Sequence, residues 1–277
     1  MGGGKLLLML VPGRDDRAFY KRFLRYVARK HGLLLDDLDA ANHGDEKYMV
    51  LDKVYRQPRA LSGVVVLRGT SVLRLSSRTG NGSTEIVLLP TERRVTHVAG
   101  LILEYQAGLD APTIDAVVAA DDAEEMSISD RLGSMYNSLM SVRGIRIGKE
   151  LKQGKYFRLL TLERPRGLKL MLLVQGLETV EDLTKHAIED YVLHLYRDSL
   201  TELRNSCKQL LNTLTRSSRQ HKKLALLIAL KHCFTRLEEL FLRDLDDDKL
   251  DKLVKVSDGL QELVNLTVSS LEVNAAL

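Results

Sequence analysis

The alternation of apolar and polar positions divides the chain into two unlike parts. Over the first two-thirds, short apolar runs alternate with stretches of helical period. Lys5–Val11 is an apolar run of strand length, and Phe19, Phe23, Leu24 and Val27 then recur at helical spacing until His31-Gly32 ends the run. Asp15 or Asp16 is placed to cap that helix. Leu33–Leu38 predicts a short element, and Asp45–Tyr55 a helical stretch ahead of the break at Gln57-Pro58-Arg59. Gly63–Leu67, Val72–Leu75 and Glu85–Leu89 predict strands, with a turn at Arg78–Ser83 carried by Asn81-Gly82. Thr91–Gln106 predicts a helix and Ile114–Ala120 a buried strand. Asp121–Val142 predicts a second helix, buried along Ile128, Leu132, Met135 and Leu139. Tyr156–Leu162 and Leu168–Val174 predict two further strands around a turn at Arg164–Gly167, and Thr179 with Asp182 has the spacing of a capping box.

From about residue 180 onward only helical periods remain, among them Leu183, Ile188, Val192, Leu224, Ile228, Leu237, Phe241, Leu250 and Leu253. Strands alternating with helices predict an α/β fold with a mostly parallel sheet flanked by helices. The expected division is an α/β domain over residues 1–200 and a C-terminal helical cap or bundle over residues 201–277.

Composition narrows the classes. At 44% hydrophobic and 28% charged, the 277-residue chain has core material for one large domain or two ordinary ones, and it is not disordered. A net charge of +4 permits a nucleic-acid partner without demanding one. Cys207 and Cys233 fit neither a disulfide framework nor a zinc ribbon. No apolar run approaches the roughly 20 residues of a membrane span, and no secretory leader is visible, so a cytoplasmic protein is expected. Sparse Asn, Gln, Trp and Cys beside abundant Leu, Arg, Lys, Asp and Glu match a thermophilic source.

Candidate chemistry collects at two places where an apolar strand runs into acids. The first is Pro12-Gly13-Arg14-Asp15-Asp16; the second is Asp121-Asp122-Ala123-Glu124-Glu125. Functional groups gather where parallel strands end, and clustered carboxylates are the oxygen donors that Mg²⁺ takes. Helix starts also favour acids for ordinary electrostatic reasons, which accounts for one or two of them but not four in five residues.

The order Leu6–Val11, Gly13, Arg14, Asp15, Asp16, Phe19 resembles the opening of TOPRIM domains, in which a strand is followed by Glu-Gly-Lys-Asp-Asp and a helix with aromatic residues. Val117–Asp122 lies where the family's Asp-x-Asp strand end falls. Leu172–Gly176, followed by Glu181-Asp182-Leu183, looks like the late strand and helix start of small archaeal TOPRIM-like proteins. The resemblance covers roughly residues 5–200. It implies a TOPRIM-like sheet and metal-dependent phosphoryl transfer on nucleic acid. Asp121, Asp122 and Arg14 would be the catalytic residues, Asp121, Asp122, Glu124 and Glu181 would hold Mg²⁺, and Arg14 would sit by a phosphate. Two departures stand against that chemistry. Pro12 occupies the place of the family's general acid-base Glu, and Ala119 the place of the first Asp of Asp-x-Asp. Asp15, Asp16 and Glu178 are the acids that could compensate.

Among the basic groups, Arg143, Arg146, Lys149, Lys152, Lys155 and Arg158 are the candidate nucleic-acid contacts, read as lying on a flexible connection spaced by Gly144, Gly148 and Gly154. Lys21, Arg22, Arg25, Arg29 and Lys30 on the first helix read as a solvated face. The C-terminal stripe Leu250, Leu253, Val254, Leu260, Leu263, Leu266 and Val268 would cap the core or form a homodimer seam. The expected function is nucleic-acid-associated, as a Mg²⁺-dependent phosphodiesterase or, as the departures favour, its catalytically degenerate descendant. The rival from another class is a non-enzymatic scaffold for protein interaction.

Overall fold

The computed structural model describes residues 5–38, 71–78, 82–91, 94–109, 113–178, 186–206 and 220–272. The helical stretch expected at Asp45–Tyr55, the strand at Gly63–Leu67, the tip of the turn at residues 79–81 and the Thr179/Asp182 pair lie outside them.

The chain opens with β1 (Lys5–Val11), whose unbroken apolar run is buried on both faces. It passes through Pro12-Gly13 into α1 (Arg14–Lys30), which stops at His31 and at Gly32, held at φ +63°. Then follow β2 (Leu34–Leu38), β3 (Ser71–Ser76), β4 (Ser83–Pro90), α2 (Val95–Ala107), β5 (Ala116–Asp122), α3 (Ile128–Met140), β6 (Arg146–Gln153), β7 (Phe157–Arg164) and β8 (Lys169–Gln175). The described remainder is helical: α4 (Glu189–Leu195), α5 (Arg197–Ser206), α6 (Gln220–Lys231), α7 (Leu237–Arg243), α8 (Asp247–Val256) and α9 (Asp258–Glu272).

The eight strands form one sheet in the order β2-β3-β4-β1-β5-β8-β7-β6. The sheet is mixed, not mostly parallel. β4, β1, β5 and β8 run parallel at its centre, but the pairs β2–β3, β3–β4, β7–β8 and β6–β7 are antiparallel, four of the seven. Connection length decides this. Residues 77–82, 154–156 and 165–168 are hairpin loops, and a parallel crossover takes roughly a dozen residues or more.

Three local expectations are corrected. β5 continues through Asp121 and Asp122, so these acids end a strand and do not begin a helix; the helix begins at Ile128, capped by the Ser127 hydroxyl accepting from the Asp130 N–H at 3.0 Å. Residues 146–153 are not a flexible connection but strand β6, exposed almost throughout and paired to β7 with repeated register shifts. Asp15 and Asp16 sit in the first turn of α1 behind an N-cap Gly13, and neither is the cap itself.

Right-handed crossovers send α1 to one face of the sheet and α2 and α3 to the other. Contacts agree: α2 packs on α3 and on β5, while α1 packs on α7 and α8. α9 lies opposite α3. Phe157 lies under Lys152, whose partner is Glu262 of α9, whereas the next residue, Arg158, stacks on Tyr136 of α3. The C-terminal helices share the core with the sheet: Leu250, Leu253, Leu260, Leu263 and Leu266 are all buried in the same cluster as the central strands. The basic face of α1 is tied to acids, with Lys21 and Arg25 on Asp37, Arg22 and Arg29 on Asp247, and Lys30 on Asp251.

Because Leu263 is completely buried in this shared core, Leu263→Ala should cost about 2–5 kcal/mol. Urea denaturation followed by circular dichroism should show a single transition shifted to lower urea. A separate early transition for the C-terminal helices, with the rest unshifted, would contradict the shared core.

Candidate functional site

β1 and β5 are neighbours, but the chain leaves them toward opposite ends of the sheet. Their crossover helices therefore diverge and leave a crevice at the carboxyl ends of these strands. Acids from three segments meet there. Asp16 enters from the first turn of α1, and Asp122 is the last residue of β5. Glu189 comes from the first turn of α4. Gln175, the last residue of β8 and fully buried, joins the first two: its Nε2 donates to Asp16 Oδ1 at 2.7 Å and to Asp122 Oδ1 at 3.0 Å. Lys222 of α6 reaches in from the solvent side, its Nζ 3.5 Å from Glu189 Oε1.

One ammonium among three largely desolvated carboxylates leaves negative charge uncompensated, and the carboxyls hold their protons tightly as a result. Burial, only partly offset by the Gln175 hydrogen bond, raises Asp16 from 3.8 to about 6. Burial also raises Glu189 from 4.5 to about 7 against the pull of Lys222. Asp122 is pushed well above the usual carboxylate range by burial and then by Asp16, Glu189 and Asp121.

The residues expected to form the site are distributed as follows. Asp121 is buried and faces away from this group: its Oδ2 pairs with Arg131 at 2.6 Å, and its Oδ1 accepts from the Asp122 N–H at 3.1 Å. Arg14 is exposed at the start of α1. Glu124 is exposed, with its backbone at φ +54° and held by paired hydrogen bonds to the His186 backbone of 2.9 and 2.8 Å. Glu181 lies outside the described residues. Glu178 binds Lys155 at 2.9 Å and accepts from the Ile128 N–H at 3.3 Å. Among the described residues, no three His, Cys, Asp or Glu side chains are grouped as metal ligands.

Of the six basic candidates, Lys152 is bound to Glu262, Lys155 to Glu178, and Arg158 lies 4.0 Å from Glu150. Arg143, Arg146 and Lys149 are exposed and form no ion pair among the described residues. Sequence reasoning missed Gln175, Glu189 and Lys222. Only the position of Gln175 at a strand end beside the acidic junction could have singled one of them out.

No family model and no curated protein matches the chain. Among solved structures, a similarity is found to the crystal structure of a glyoxalase-family protein from Bacillus cereus, 12% identical, covering 63% of this chain and 94% of that chain. Its TM-score of 0.17 is too low to bear on fold or function. No helix among the described residues is long and apolar enough to cross a membrane.

Asp16, Asp122 and Glu189 bind protons more tightly folded than unfolded. The folded state therefore carries extra protons from the unfolded values upward, and its stability falls as pH rises through about 6 to 7. The melting temperature should decline from acidic to alkaline buffer across this window. Asp122→Asn should flatten the decline and raise the alkaline melting temperature by roughly 2–4 °C per kcal/mol of relief. An unchanged profile in this variant would mean that the acids are not coupled.

Proposed function

We propose that this chain is a TOPRIM-like protein that associates with nucleic acid and no longer performs metal-dependent phosphodiester chemistry. The observation that carries this reading is the Gln175 amide lodged between Asp16 and Asp122, at the ends of adjoining parallel strands. The two acidic junctions that prompted the comparison do meet on one rim, which supports a relation to the family. The donor set there does not fit Mg²⁺. A bridging cation needs oxygen atoms turned toward it, whereas an N–H donor points at both carboxylates. Asp121, the acid that keeps its place in the family's strand-end motif, is closed off by Arg131. Pro12 and Ala119 supply no oxygen side chain at all.

The exposed Arg143, Arg146 and Lys149 support the nucleic-acid half of the reading, as groups that phosphates can reach. The rival scaffold reading is favoured by the pairing of Lys152 and Lys155 with Glu262 and Glu178, since both cations are already neutralised.

Fluorescence anisotropy with a labelled oligonucleotide separates the two. Nucleic-acid association predicts salt-sensitive binding that weakens with Arg146→Glu and Lys149→Glu. The same sample given Mg²⁺ or Mn²⁺ should leave the oligonucleotide uncut. Cleavage that disappears in Asp122→Asn would restore the enzyme reading, and absence of binding at low salt would favour the scaffold.

A further inference from the structure

The poor fit of the rim to a metal ion has a source in the C-terminal helices. Lys222 stands on α6, remote in sequence from every acid at the rim, yet its ammonium is the cation closest to Glu189 and acts electrostatically on Asp15, Asp16 and Asp122. We propose that α6 is a plug: Lys222 is the resident counter-cation of the rim, and its presence keeps divalent cations from the carboxylates beneath it. This rests on reading the rim as a TOPRIM-like site and adds the element that closes it.

Three observations converge on this assignment. First, the charges are unequal. Asp16, Asp122 and Glu189 face each other across a crevice that Lys222 alone enters with a positive charge; Arg131, the other nearby cation, is committed to Asp121. Second, Lys222 is not locked in: its side chain is 55% exposed, so the ammonium can swing out along a path open to water. Third, Gln175 Oε1 is buried without a hydrogen-bond partner. A half-turn of that amide would bring Oε1 to face Asp16 and Asp122. Such an orientation is repulsive beside bare carboxylates and favourable only around a cation. With Lys222 withdrawn, three carboxylates and an amide oxygen form a hard-donor set of the kind that Mg²⁺ and Mn²⁺ accept.

The test uses Mn²⁺ and the full chain. Electron paramagnetic resonance titration should show free Mn²⁺ persisting with the wild type and with Lys223→Met, the neighbouring exposed lysine. Lys222→Met should bind Mn²⁺ roughly tenfold or more tightly than either, a gain of about 1.4 kcal/mol, and Mn²⁺ should raise its melting temperature alone. Equal Mn²⁺ binding by wild type and Lys222→Met, whether tight or absent, overturns the plug. If Lys222→Met does not fold, the double variant with Asp122→Asn should recover the fold by removing one of the stranded charges; a double variant that also fails to fold overturns the plug. Oligonucleotide binding is read separately by anisotropy, so a failed plug and a failed nucleic-acid reading give different results.

Discussion

Two adjacent parallel strands whose crossover helices depart to opposite faces cannot have their carboxyl ends covered by either helix. This constraint at β1 and β5 shapes the rest of the molecule. It opens a crevice at one rim of the sheet, and the sequence places Asp16 and Asp122 there at its two strand-to-acid junctions. Water would solvate those carboxylates at little cost. Here they are instead roofed by a helical layer, so desolvation has to be met by protein groups. Gln175 donates to both acids, Arg131 takes Asp121, and Lys222 reaches in over Glu189. The chemical character of the rim follows from how incomplete that compensation is.

The helical layer is held by two kinds of interaction of unequal strength. Charged contacts between α1 and α8, through Arg22, Arg29 and Lys30, lie at half-exposed positions where ion pairs contribute little. The apolar face of α9 is buried along Leu260, Leu263 and Leu266, and each such side chain contributes about 1.5–3 kcal/mol. Burial therefore holds the layer, and the ion pairs set its register. The leucines considered for a dimer seam face the interior of their own chain.

The central strands were readable because burial on both faces leaves unbroken apolar runs, as in β1, β5 and β8. Helix positions were readable from period, with boundaries displaced where chemistry intervened: β5 absorbed Asp121 and Asp122 because their backbones continue the ladder with Val174 and Gln175. β6 was not readable. Both its faces are exposed, so Arg146–Gln153 has no alternation to detect, and its glycines looked like a linker. The candidate site was half legible. Asp16 and Asp122 stand beside strand ends, whereas Glu189 and Lys222 lie within ordinary helical sequence and reach the rim only through tertiary packing. No local pattern carries that information.

The repeated slips in the pairing of β6 with β7 have a bearing on how the molecule meets copies of itself. A regular outermost strand offers a row of unsatisfied amides and carbonyls on which another chain can continue the sheet. Here the backbone spacing is broken at Arg146/Ile147, Ile147/Glu150 and Glu150/Lys152, and cations recur at positions 146, 149 and 152. Two such strands brought side by side would find neither matching hydrogen-bond spacing nor compatible charge. The irregularity thus works as a terminus for the sheet, protecting against fibrillar stacking at the border where it is least covered.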